Sequence, residues 1–116
     1  MHYVRSKDVA SFRLGGLQIR DLTAQAISSA SVACVEVPSG VAHDMAKSTK
    51  SAKFYVCING VVVFEVNERR VELAPLDLLI VERDEWFAYR NEGEQTATLL
   101  LVHVPPFDPG REVFRA

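Results

Sequence analysis

A chain of 116 residues, 48% of them hydrophobic, is the size of one domain with one core and can bury about two thirds of its unfolded surface. Its formal charge of -2 excludes the strongly basic surface that nucleic-acid binding requires and points to a small ligand or a protein partner instead. Cys34 and Cys57 are too few for a disulfide framework, residues 1–8 carry charges where a secretory signal needs an apolar stretch, and the longest apolar runs are far too short to cross a bilayer; a cytoplasmic protein without membrane contact is expected.

Turn-forming residues recur at short intervals. Gly15-Gly16, Pro38-Ser39-Gly40, Asn59-Gly60, Asn67-Glu68, Pro75, Asn91-Glu92-Gly93 and Pro105-Pro106 separate segments rich in Val, Ile, Leu, Phe and Tyr. This rhythm predicts strands over 17–22, 31–37, 53–58, 61–66, 70–73, 78–81, 86–90 and 96–104, with one short helix over 24–30. Asn59-Gly60 carries the strongest hairpin signal, because both residues tolerate the positive φ of a tight turn. Lys47 and Lys50, set among Ser48, Thr49 and Ser51, read as a solvated loop, and the charged run Glu82-Arg83-Asp84-Glu85 as a rim turn. Residues 105–116 read as a structural strap that packs Phe107 or Phe114 back on a barrel formed by 31–104, with 1–30 as an N-terminal arm of the same domain. Many short strands without long helices leave a sandwich or barrel, the double-sheet jelly roll among them.

Gly40 and Gly60 stand at the two ends of a spacing that resembles the first motif of the cupin superfamily, and Asn91 fits the last position of its second motif. Leu76-Asp77 followed by 78–81 is similar to the opening of that second motif, and 103–109 to the exit from the last strand of small cupins. The resemblance covers roughly residues 32–109 and implies an all-β, double-stranded β-helix (jelly-roll) barrel of cupin type. It also marks where such proteins hold a metal with two His, a Glu and a third His. Here those positions carry Ala46 and Ser48 (Lys47 and Thr49 at the shorter spacing), Lys53 and Phe87. A lysine ammonium has no lone pair to give and repels a cation, so no metal or other cofactor is expected there. His43, Cys57 and His103 are donors of the right type, but their spacing gives a second metal site no support. His43 reads as a loop residue after Gly40.

Alternation sorts the faces of the strands, and the resemblance implies that the motif's Glu position, hence Lys53, faces the barrel lumen. Lys53, Tyr55 and Cys57 share one face of their strand and the apolar Phe54, Val56 and Ile58 the other, which a second sheet or a second subunit must cover; a homodimer is expected. The same register turns Phe87, Tyr89 and Asn91 to one side. The ligand-binding candidates are therefore Lys53, Tyr55, Cys57, Phe87, Tyr89 and Asn91, and the catalytic candidates Tyr55, His103 and Lys53. Lys53 reaches solvent at the mouth, clamps an anion, or acts as a desolvated amine. The face of His103 cannot be read, since 99–102 are apolar on both sides. Two functions stay open. The favoured one is a metal-free cupin binding a small anionic or carbonyl-containing molecule, and the alternative is a metal-independent isomerase, lyase or cyclase working by acid/base chemistry.

Overall fold

Burial alternates along the central strands. On β5 (Ala52–Asn59) Lys53, Tyr55 and Cys57 are buried and Phe54 and Val56 only half so, while β10 (Ala97–Val104) buries Ala97, Leu99, Leu101 and His103. A strand with one buried face needs a second layer over it. The computed structural model, which describes residues 1–24 and 29–115, provides two antiparallel sheets packed face to face. The larger sheet runs in the order β1 (Phe12–Leu14), β2 (Leu17–Asp21), β3 (Ser31–Val37), β10, β5, β8 (Leu78–Val81). The smaller runs β11 (Glu112–Phe114), β4 (Ala42–Ser48), β9 (Phe87–Arg90), β6 (Val62–Val66), β7 (Arg69–Leu73). This is the all-β jelly roll. Every expected strand is present with its ends within one residue, whereas β1, β4 and β11 were not expected. The helix expected over 24–30 falls largely on residues outside those described.

Between the sheets, Val35, Val37 and Leu99 meet Val62, Phe64 and Leu73, all essentially without exposure; a fully buried side chain of this size contributes about 1.5–3 kcal/mol. Tyr55, Phe64 and Tyr89 form an aromatic knot, with ring centroids 4.9 Å apart for Tyr55–Phe64 and 4.8 Å for Phe64–Tyr89.

Asn59-Gly60 does not close a hairpin. β5 pairs with β10 and β8, β6 with β7 and β9, so the turn carries the chain from one sheet to the other. Gly60 has φ +78°, and a Cβ on it would lie 2.8 Å from Cβ of Ala97. Both strands bury one face, so local pattern permits either pairing, and the long-range partners decide it. The true two-residue hairpins are Gly15-Gly16, between β1 and β2, and Asn67-Glu68, between β6 and β7.

Of the expected solvated loop over 47–51, Lys47 and Ser48 instead end a strand, while 49–51 make a tight turn that exposes Lys50 and buries Ser51. Ser48 Oγ accepts the backbone N–H of Ser51 at 2.9 Å, and Ser51 Oγ donates to the Pro105 carbonyl at 2.7 Å. Among the described residues no second sheet covers the outer face of β5, where Ile58 is 47% exposed beside Leu78 at 54%. Trp86 faces neither the cavity nor the core; Lys47 and Arg115 lie over its ring at 4.9 and 4.3 Å. Among the described residues no helix is long and apolar enough to cross a membrane.

Candidate functional site

A cavity of about 420 Å³ lies between the sheets. Most of its lining is apolar, including Leu14, Ile19, Val35, Leu101 and Phe114, and among these stands a polar cluster of His43, Lys53, Tyr55, Tyr89, His103 and Glu112. A mainly apolar pocket with a few convergent polar groups is the usual form of a small-molecule site.

Strand register builds the cluster. His103 on β10 and Lys53 on β5 are direct cross-strand partners on the buried face, and Lys53 Nζ donates to His103 Nε2 at 2.8 Å. One step along, Leu101 partners Tyr55. From the opposite sheet, β11 pairs with the edge of β4 and sends Glu112 inward, where Oε1 accepts from Lys53 Nζ at 2.7 Å. The ion pair therefore ties the two sheets together.

β4 contributes through a bulge. His43 partners Tyr89 and Ala46 partners Phe87, so three steps on β4 match two on β9. The extra residue reverses parity, so that His43 and Ala46 both turn inward. The His43 ring stacks on Tyr89 at 5.0 Å and on Phe114 at 5.9 Å. Its Nδ1 donates to the Asp44 carbonyl at 2.6 Å, because a carbonyl can only accept, which leaves Nε2 with the lone pair.

Burial sets the protonation states. Desolvation, with the Lys53 charge added, pushes His103 down to about 3, so it is a neutral acceptor toward Lys53. Desolvation also lowers His43. Lys53 is lowered by desolvation, against the opposing pull of Glu112. Tyr55 and Tyr89 are raised by burial and stay protonated phenols. The cluster thus holds hydroxyl and ammonium donors beside neutral imidazole acceptors.

Of the residues singled out in the sequence, Lys53, Tyr55, Tyr89 and His103 come together on the cavity wall. Cys57, Phe87 and Asn91 share the inward faces but do not line the cavity. The Cys57 thiol turns to the Asn59 and Gly60 carbonyls, and the Asn91 amide donates to the Val37 and Gln95 carbonyls, fastening the turn after β9. Phe87 is fully buried beneath the site, its ring 5.4 Å from the Lys53 ammonium. The ammonium itself does not reach solvent, because Glu112 and His103 hold it at 3% exposure of its residue. His43 and Glu112 were missed as site residues. A bulge hid the parity of one, and a three-residue strand offered no period to read for the other. The strap is thus part of the site as well as structural.

The sequence matches a family model described as "Cupin domain" over residues 35–103. The chain is a cupin. No curated protein sequence matches it at significant similarity. Among solved structures, this cupin is similar to a Streptomyces PAC13 variant with uridine (TM-score 0.86, 21% identity, 100% of this chain and 92% of that one). A further structure of Pac13, described as a unique nucleoside dehydratase, has TM-score 0.85 at 21% identity over 99% and 91% of the two chains. KdgF from Halomonas sp. is also similar (TM-score 0.84, 12% identity, 93% and 96% of the chains). At these identities the likeness is one of fold.

The residues at the superfamily's usual metal position do not suit a cation. Ala46, Ser48, Lys53 and Phe87 all lie buried, offering a methyl, a hydroxyl, an ammonium and a benzyl ring. The Ser48 oxygen already accepts two backbone N–H groups, and the ammonium opposes any positive ion. Among the described residues no three His, Cys, Asp or Glu side chains are grouped to hold a metal elsewhere.

Proposed function

We propose that this cupin is a metal-independent lyase that moves protons on a small, uncharged, carbonyl-bearing molecule held in the cavity. The observation that carries the reading is the convergence of Lys53, Tyr55 and His103 from one sheet with His43 and Tyr89 from the other around a cavity of about 420 Å³; titratable groups gathered within reach of one another are what acid/base catalysis needs and what passive binding does not. Support also comes from the similar Streptomyces protein, described as a nucleoside dehydratase, whose variants crystallised with uridine replace a histidine or a tyrosine. Those are two of the residue types gathered here.

Charge favours a neutral ligand. Lys53 is the only lysine or arginine among the described lining residues, and Glu112 already compensates it, with Asp21 adding a further carboxylate to the wall. An anion would have to displace Glu112, so the anion clamp weighed from sequence is the weaker reading. In the proposed step, the His43 lone pair takes the proton α to the carbonyl, while phenol and ammonium donors hold the carbonyl oxygen as charge develops. A β-hydroxyl leaves as water with a proton from the same donors, and return of the proton from His43 restores the site.

The test pairs binding with exchange. In deuterated buffer with neutral β-hydroxy aldehydes and ketones, the protein should catalyse α-deuterium incorporation or loss of water by NMR. Tyr89→Phe and His43→Gln should each slow it roughly 10²–10⁴-fold. Thermal shifts with uridine or these carbonyl compounds but no exchange would leave a binding module; shifts only with phosphorylated or carboxylated ligands would overturn the neutral-substrate reading.

A further inference from the structure

We propose that Lys53 forms a covalent imine with the carbonyl carbon of its substrate, so that the cavity carries an amine nucleophile as well as proton-transfer groups. The inference rests on the lyase reading above and gives Lys53 a role which that reading does not require.

The geometry supplies each part of imine chemistry around one nitrogen. Lys53 Nζ lies on the cavity wall, 2.7 Å from the Glu112 carboxylate and 2.8 Å from Nε2 of a neutral His103. The Phe87 and Phe107 rings flank it at 5.4 and 5.9 Å, so it stands in an apolar surround. Desolvation lowers its basicity, the condition under which a lysine becomes a nucleophile. An ammonium needed only to brace two sheets would be served by Glu112 alone. A second, uncharged acceptor on the other side gives a shed proton somewhere to go.

The step balances with these groups. Glu112 takes one proton from the ammonium, leaving a free amine and a neutral carboxyl. The amine lone pair adds to the carbonyl carbon while the C=O π pair moves to oxygen, and a proton passes from nitrogen to that oxygen through His103. Glu112 then protonates the resulting hydroxyl, which departs as water as the nitrogen lone pair closes the C=N⁺ bond. Ammonium and carbonyl have become iminium and water, with Glu112 again a carboxylate beside the positive charge. The iminium draws electrons from the neighbouring carbon more strongly than a hydrogen-bonded carbonyl does, which eases loss of the α-proton.

The chain contains four lysines, Lys7, Lys47, Lys50 and Lys53, so three serve as internal controls. The full chain is incubated near pH 7 with benzaldehyde, a neutral aldehyde without an α-proton, and sodium cyanoborohydride, which reduces any imine to a stable benzylamine; peptide mapping then locates the label. Lys53 should be modified faster than each of the other three, since desolvation lowers its basicity and so enlarges its free-amine fraction near neutrality, and Lys53→Arg should abolish the fast phase. Label confined to Lys7, Lys47 and Lys50, or equal rates at all four, overturns the imine. Catalysis of α-exchange that survives in Lys53→Arg would overturn it too while leaving the lyase standing. Absence of exchange in the native chain, with Lys53 still labelled selectively, would remove the lyase and leave the amine.

Discussion

His103 meets a buried ammonium at 2.8 Å and is held neutral, with its protonation pushed down to about 3. In the unfolded chain a histidine protonates near 6.5, so between those values the unfolded state binds the proton that the native state refuses. The stabilising effect is whole above about pH 6.5 and is lost as pH falls toward 3. Chemical denaturation should therefore show stability falling by on the order of 1 kcal/mol per pH unit below about 6.5. His103→Asn should flatten that slope without abolishing it, because the lowered His43 acts with the same sign. A variant with the native slope would mean that His103 is not the group resisting the proton. At this scale the sequence was informative for Lys53 and Tyr55, whose alternation on β5 is clean. It was silent on His103, because a strand apolar on both faces carries no parity, and the partner strand alone turns that imidazole inward.

Among the elements, the turn between β5 and β6 shows how local chemistry and topology separate. Asn59-Gly60 has hairpin composition, yet it bridges two sheets, and Gly60 is required both by its φ of +78° and by the Ala97 methyl that would sit 2.8 Å from an added Cβ. Gly15 has φ +59° but open space around it. Gly15→Ala should accordingly cost about 1 kcal/mol from backbone strain alone, and Gly60→Ala roughly 2–4 kcal/mol because overpacking is added. Urea unfolding of the two variants separates these contributions, and equal losses would show that contact with Ala97 contributes nothing. The strands that escaped the sequence have physical reasons for doing so. β4 mixes Ala, His, Asp, Met, Lys and Ser and reverses its parity at a bulge, and β1 and β11 are three residues each. The long apolar strands that form the core were readable throughout.

For the molecule as a whole, the outer face of the larger sheet is unfinished. Phe54, Val56, Leu100 and Val102 are half-buried, Ile58, Leu78, Ile80 and Val104 are exposed, and no charged side chain stands on the outward positions of β5, β8 or β10. Among the described residues β8 is also an edge strand, paired with β5 alone, and its outer edge offers backbone groups beside that face. We propose a second copy of the chain as its partner, since two such faces meet without a charge to desolvate and two β8 edges can pair about a two-fold axis. Sedimentation should show a dimer that Ile80→Lys converts to monomer without loss of fold; a native chain that sediments as a monomer would remove the proposal. The cupin architecture was legible from spacing and rhythm, and the apolar face of β5 from alternation, whereas the sheet order was needed to show that among the described residues no second sheet lies over that face.

The counter-charge of the lysine hangs on the shortest strand of the opposite sheet, three residues hydrogen-bonded along one edge. The base that the amine relies on is therefore only as well placed as that edge pairing. Fraying of so short a strand would silence the nitrogen by carrying its proton acceptor away.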